Sequence, residues 1–152
     1  MRMLSAAGAV MAIGLLVTPG PARAQMCLHD AAESRDEQAR RMDALMAVRS
    51  LNAAEQSAHR ARGSYQPLSA LSPFLAPHRS DGGQLGDVVR QMRFDRDEIL
   101  PGWLARLLVD GDEYVLVLED ADDSCGFAYT SDASGMVRQG YPVGRAVPLP
   151  RQ

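Results

Sequence analysis

The residues in this 152-residue chain whose types could support chemistry are three histidines, two cysteines and two acidic clusters. His29, His59 and His78 are spread over a helix start, a helix end and a loop. None shares an element with a second ligand at the spacing a zinc site uses. Asp81-Gly82-Gly83 lacks the further glycines and the basic residue of a phosphate-cradling loop, and no glycine-flanked serine forms a nucleophile elbow. Asp110, Asp112 and Glu113 fall in one turn; Glu119, Asp120, Asp122 and Asp123 fall in the next. Calcium needs six to eight oxygens. The two loops flank one strand at opposite ends, however, and turns favour Asp and Gly for local reasons. They are read as solvated turns. No catalytic residue, metal ligand or cofactor is expected, so the chain is read as a non-enzyme.

The cysteines are Cys27 and Cys125. A nucleophilic thiol wants a helix N-terminus or a neighbouring base, and a strand position followed by Gly126 offers neither. An even count in an oxidising compartment fits one structural disulfide. Equally, Cys27 precedes a long helix and Cys125 lies by a strand. If the helix front projects, the sulfurs stay apart, either free or paired between molecules.

The compartment is read from the first residues. Met1-Arg-Met-Leu4 is basic, Leu4 to Val17 is an uncharged run of 14 residues, and Pro19-Gly20-Pro21 breaks it before Ala22-Arg-Ala24. This is the pattern of a secretory signal peptide over 1–24, too short for a spanning helix. A mature chain from Gln25 is expected to be periplasmic or secreted, with no integral membrane anchor. Its 128 residues suffice for one domain over 25–143, followed by an extended, proline-rich tail over 144–152. All 16 basic residues are arginine, and losing Arg2 and Arg23 with the leader takes the formal charge from −3 to −5. A mildly acidic chain without a basic patch is a poor nucleic-acid binder.

The elements follow from periodicity. Asp30 to Arg62 contains no proline or glycine and is rich in helix formers; acids crowd its front, arginines close it, and Gly63 follows. One long helix is expected there. Ala44, Val48, Leu51, Ala54, Ala58 and Ala61 make a stripe of mostly small residues, suited to close approach by a sheet. Ala39, Met42 and Met46 lie on nearly the opposite side, either as scattered apolar surface or as a protein interface. Pro67, Pro73 and Pro77 punctuate 64–102, with a helical turn expected at Leu68–Leu71 and a strand or turn at Gly86–Phe94. Trp103–Val109, Tyr114–Glu119, Cys125–Ser131 and Met136–Arg138 read as strands joined by hairpin-length links, hence antiparallel. The expected fold is α+β: a long N-terminal helix on a three- to four-stranded antiparallel sheet. The central strand is apolar on both faces, so the 64–102 segment or a partner is expected to cover the face that the helix leaves.

The run Ala47-Val-Arg-Ser-Leu-Asn-Ala-Ala-Glu-Gln-Ser-Ala-His-Arg-Ala-Arg-Gly-Ser-Tyr-Gln-Pro-Leu-Ser-Ala-Leu71 resembles the type IV pilins and type II secretion pseudopilins. In that family a long helix ends in an alanine-rich segment, then glycine-x-tyrosine and a short turn. Asp110–Tyr114, Cys125–Asp132 and Gly135–Gly140 are similar to its sheet, and the resemblance spans 39–143. The chain departs from the family in having no glycine–glutamate prepilin motif and no apolar helix half; 25–38 is polar, and His59 stands for an aromatic. The resemblance implies an exported accessory or protein-binding role in a secretion or pilus-type system, with an envelope protein as partner and self-association open. The alternative is a periplasmic small-ligand or calcium-binding domain, with 64–102 as its binding loop. Mass spectrometry of the mature protein is expected to find its N-terminus near Gln25; an intact Met1 in a membrane fraction would overturn export.

Overall fold

The computed structural model describes residues 33–123 and 127–140. The leader, both cysteines, His29 and the tail lie outside them. The described residues form an α+β arrangement of helices and one five-stranded antiparallel sheet.

Helix α1 runs Arg35–Arg62, 28 residues, or roughly 42 Å at about 1.5 Å per residue. It begins at Arg35 rather than at Asp30 because Ser34 caps it. The Ser34 hydroxyl accepts from the Glu37 N–H at 3.2 Å, and the Glu37 carboxylate accepts from the Ser34 N–H at 2.7 Å. This reciprocal capping box satisfies two otherwise orphaned donors. At the far end Gly63 takes φ 74° and donates to the His59 carbonyl at 2.8 Å, a left-handed closure that suits glycine.

The buried face of α1 contains Ala44, Val48, Leu51, Ala54 and Ala58, widened by Ala47, Ser50 and Glu55. Ser50 stays satisfied within the helix, donating to the Met46 carbonyl at 2.8 Å. Ala61, expected on the same stripe, is exposed. The turn at Gly63 brings Tyr65 back at this end, and its ring stacks on His59 with centroids 4.5 Å apart.

Between helix and sheet lie two 3₁₀ turns, Leu68–Ala70 and Ser72–Leu75, then α2 (Ala76–Arg79) and α3 (Gln84–Gln91). The expected strand or turn at Gly86–Phe94 is therefore mostly helix. Leu85, Val88, Val89 and Met92 recur at spacings of 3 and 4 and all join the core. The segment packs on α1: Gln84 donates to Asp43 at 3.0 Å, and the Arg62 guanidinium sits 5.0 Å over the Phe74 ring.

Five strands, rather than three or four, form a meander in the order β1 (Glu98–Leu100), β2 (Trp103–Asp110), β3 (Glu113–Asp120), β4 (Ala128–Asp132) and β5 (Val137–Gly140). The additional strand is β1, folded onto β2 by the tight turn at Pro101-Gly102 that pairs Leu100 with Trp103. Tyr114, Leu116, Leu118 and Asp120 of β3 are buried on one face beside Trp103, Ala105 and Tyr129. On the other face Val117 and Ala128 are buried but stand outside the main core cluster, which takes in α3 and the 3₁₀ turns. The 64–102 segment therefore flanks α1 instead of covering the second sheet face, because its apolar stripe has been used against the helix.

Leucine at position 54 or 58 is expected to overpack the helix–sheet contact and cost roughly 1–3 kcal/mol. Chemical denaturation measures this; unchanged stability in both variants would show that nothing presses on the stripe.

Candidate functional site

The described residues converge in three places: a charged clamp at the front of α1, a buried carboxyl near its end, and an arginine-lined groove beside β1.

The clamp is built on Arg40, one turn before the first fully buried residue of α1. Its guanidinium donates to both oxygens of Asp120, at 2.8 and 3.1 Å, and to Asp122 at 2.8 Å. It also lies 5.9 Å from the Trp103 ring centroid. Asp120 is only 4 % exposed, so the fork of donors supplies the compensation a buried carboxylate requires. Gly102 makes room: a Cβ there would stand 2.7 Å from the guanidinium, and its φ of 75° suits glycine. Next to it, Arg41 pairs with Glu33, lies 4.2 Å over Phe127, and accepts from the Tyr129 hydroxyl through its carbonyl at 3.2 Å.

At the other end Glu55 is fully buried. Its Oε2 accepts from the Gln66 N–H at 2.9 Å, and Oε1 has no hydrogen-bond partner among the described residues. Burial pushes this carboxyl above its ordinary value, an effect only partly offset by the Gln66 N–H. The surrounding side chains are aromatic and polar: Tyr65 packs edge-on to Tyr114 at 4.7 Å, and the Tyr114 hydroxyl donates to Asn52. Burial raises the Tyr114 phenol as well. The Asn52 and Gln56 amides reach the β4–β5 turn, donating to the Gly135 and Ala133 carbonyls at 2.8 and 3.3 Å.

The groove has a volume of about 650 Å³ and lies within the 64–102 segment, between the end of α3 and β1. Arg90, Arg93 and Arg96 line it over Met92, Ile99 and Leu100, which are buried. Arg90 is held by Asp87 and by the Arg79 carbonyl at 2.7 Å, and Arg96 meets Asp95 at 3.6 Å.

The sequence-derived candidates are not brought together. The acidic turns stand at opposite ends of β3, and among the described residues no three His, Cys, Asp or Glu side chains are grouped to hold a metal ion. Asp120 is not the solvated turn residue expected but is buried in the Arg40 clamp, whereas Asp122, which also meets Arg40, stays exposed as a turn residue. Asp123 is also buried, accepting from the Phe127 N–H at 3.3 Å. Asp112 faces His59 Nε2 at 3.4 Å, and His78 Nδ1 lies 3.2 Å from Asp81. Ala39 is exposed and Met42 is 46 % exposed, while Met46 is half-buried against the core. Cys27 and Cys125 fall outside the described residues. Glu55 escaped the sequence reading although its signal was present: it sits four residues after Leu51 and three before Ala58, on the alanine stripe itself.

Compared with known proteins, the chain matches no family model, no curated protein and no solved structure. Among the described residues no helix is long and apolar enough to cross a membrane.

Arg40→Ala is expected to leave the Asp120 carboxylate buried without its cation, costing about 3 kcal/mol, the lower end for a broken buried pair because Arg40 is partly exposed. Arg40→Lys should restore only part of this, since an ammonium cannot bridge two carboxylates as a planar fork does. Urea melts of both variants measure the difference; equal stability of Arg40→Ala and the parent would remove the clamp from the account.

Proposed function

We propose that the chain is an exported, non-enzymatic cell-envelope protein of pilin-like build that works by binding another protein in a secretion or pilus-type system. What supports this reading is the order of parts: a long helix with an alanine face, closure at Gly63, the returning Tyr65, a 3₁₀ turn, and an antiparallel meander. The single observation that carries it is that α1 turns a dry, alanine-rich face inward and leaves apolar residues exposed on another side near its front. Its buried residues run from Ala44 to Ala58, while Ala39 and Met42 stand exposed ahead of them. That side of the helix is a surface its own domain does not use, and exposed apolar groups there suit a protein partner.

A second reading, a small-ligand domain, is favoured by the groove of about 650 Å³ that Arg90, Arg93 and Arg96 line. Its size is within the range of ligand sites, roughly 300–1,000 Å³, and the guanidiniums would select an anion. For calcium the described residues offer no grouped carboxylates.

A photo-crosslinking residue placed at position 42 in the full chain, with position 106 on the open sheet face as control, tests the first reading. The expected product is an adduct from position 42 alone, identified by mass as a component of secretion or pilus-type machinery. No adduct from position 42, or equal adducts from both positions, would sink the protein-binding role and leave the groove reading standing.

A further inference from the structure

The buried carboxyl of Glu55 ties the chain that leaves α1 to the helix interior. Gln66 donates to it across 11 residues of sequence, whereas the other hydrogen bonds of this loop are local. The Gln66 amide reaches the Ser64 carbonyl and hydroxyl at 3.2 and 3.0 Å and the Tyr65 carbonyl at 3.0 Å, and it accepts from Arg62 at 2.9 Å. Gly63 begins the loop in a left-handed conformation, so the segment runs from the helix cap at one end to the Glu55 bond near the other.

The surroundings determine which charge state this bond favours. From α1 itself, His59 and Arg62 lie one and two turns on, but His59 faces Asp112 and Arg62 faces Gln66. From the loop comes Tyr65 and from β3 Tyr114, whose rings meet edge-on at 4.7 Å, and the Tyr114 phenol lies close enough to feel the Glu55 charge. Among the described residues no guanidinium or imidazole stands within ion-pair reach of the Glu55 carboxyl. A carboxylate there is dehydrated, accepts one N–H, and has no countercharge; the neutral acid carries much less of that cost.

We propose that Glu55 is a proton-operated latch: as the acid it keeps Tyr65 and Gln66 seated on the end of α1, and as the carboxylate it drives this segment to open toward water. The inference rests on the geometry of the helix end and is independent of the pilin-like reading. Its sign follows from linkage. In the open form the carboxyl returns to its ordinary value of 4.5, while in the closed form it is raised. The closed form therefore holds its full advantage below the ordinary value. It loses that advantage as pH rises toward the closed-form midpoint, with opening increasing up to about tenfold per pH unit, and levels off above it.

Amide hydrogen exchange of the full-length chain, corrected for the intrinsic rate, tests this over about pH 4 to pH 8 alongside the carbon-13 titration of the Glu55 carboxyl. The expected result is a midpoint above the ordinary glutamate value and a fall of about tenfold or more in Gln66 protection, with Leu116 in β3 unchanged. In Glu55→Gln, which keeps an acceptor for Gln66 but cannot ionise, Gln66 protection should be flat with pH. A carboxyl midpoint at or below the ordinary value would overturn the latch even if the variant failed to fold. So would unchanged Gln66 protection in the parent chain. Persistence of the pH dependence in Glu55→Gln would overturn the latch as well.

Discussion

The close approach of α1 to the sheet is the constraint on which the other features depend. Four of the eight buried residues of the helix are alanines, so the bulk between the layers comes from the sheet and loop side. Trp103, Tyr114, Leu116, Leu118 and Tyr129 fill it, with aromatic rings meeting at centroid distances of 5.2 to 6.4 Å around Trp103, Phe127 and Tyr129. Large side chains on one layer and small ones on the other interdigitate, which is how a protein interior reaches its packing density. A helix of leucines would have held the sheet away and broken the polar contacts at both ends.

Those polar contacts explain how the helix keeps its register. An apolar stripe alone tolerates sliding, because dispersion and burial are not directional. Arg40 on Asp120 and Asp122 fixes the front, Asn52 and Gln56 hold the β4–β5 turn, and Glu55 holds the loop beyond Gly63. The front joins one guanidinium to two carboxylates. The rear is a carboxyl with one neutral donor, and that asymmetry is what makes one end a fixed clamp and the other sensitive to protons.

The proposed function draws on the surfaces that the packing leaves over. Because α3 and the 3₁₀ turns are committed to the flank of α1, the outer sheet face and the side of α1 that carries Ala39 and Met42 remain open among the described residues. Arginines gather instead at the groove beside β1, although the chain as a whole is acidic. Chemistry would need converging groups. The acidic turns cannot converge, since an eight-residue strand separates them and spans about 25 Å.

The strands from Trp103 onward, the end of α1 at Gly63 and the stripe from Ala44 to Ala58 were legible in the residues, because two- and 3.6-residue periods and turn residues are local signals. The start of α1 also has a local signal, the Ser34–Glu37 box, but an uninterrupted helix-forming composition from Asp30 masks it. Helix α3 is less legible, because Gly82, Gly83 and Gly86 interrupt the short stripe of Leu85, Val88, Val89 and Met92. Only the tertiary structure decided the rest. Burial of Asp120 depends on Arg40, 80 residues away, and burial of Glu55 depends on a loop that folds back over the helix end. Neither the charge of a side chain nor its spacing reveals whether water will reach it; that is determined by which distant segments close over it.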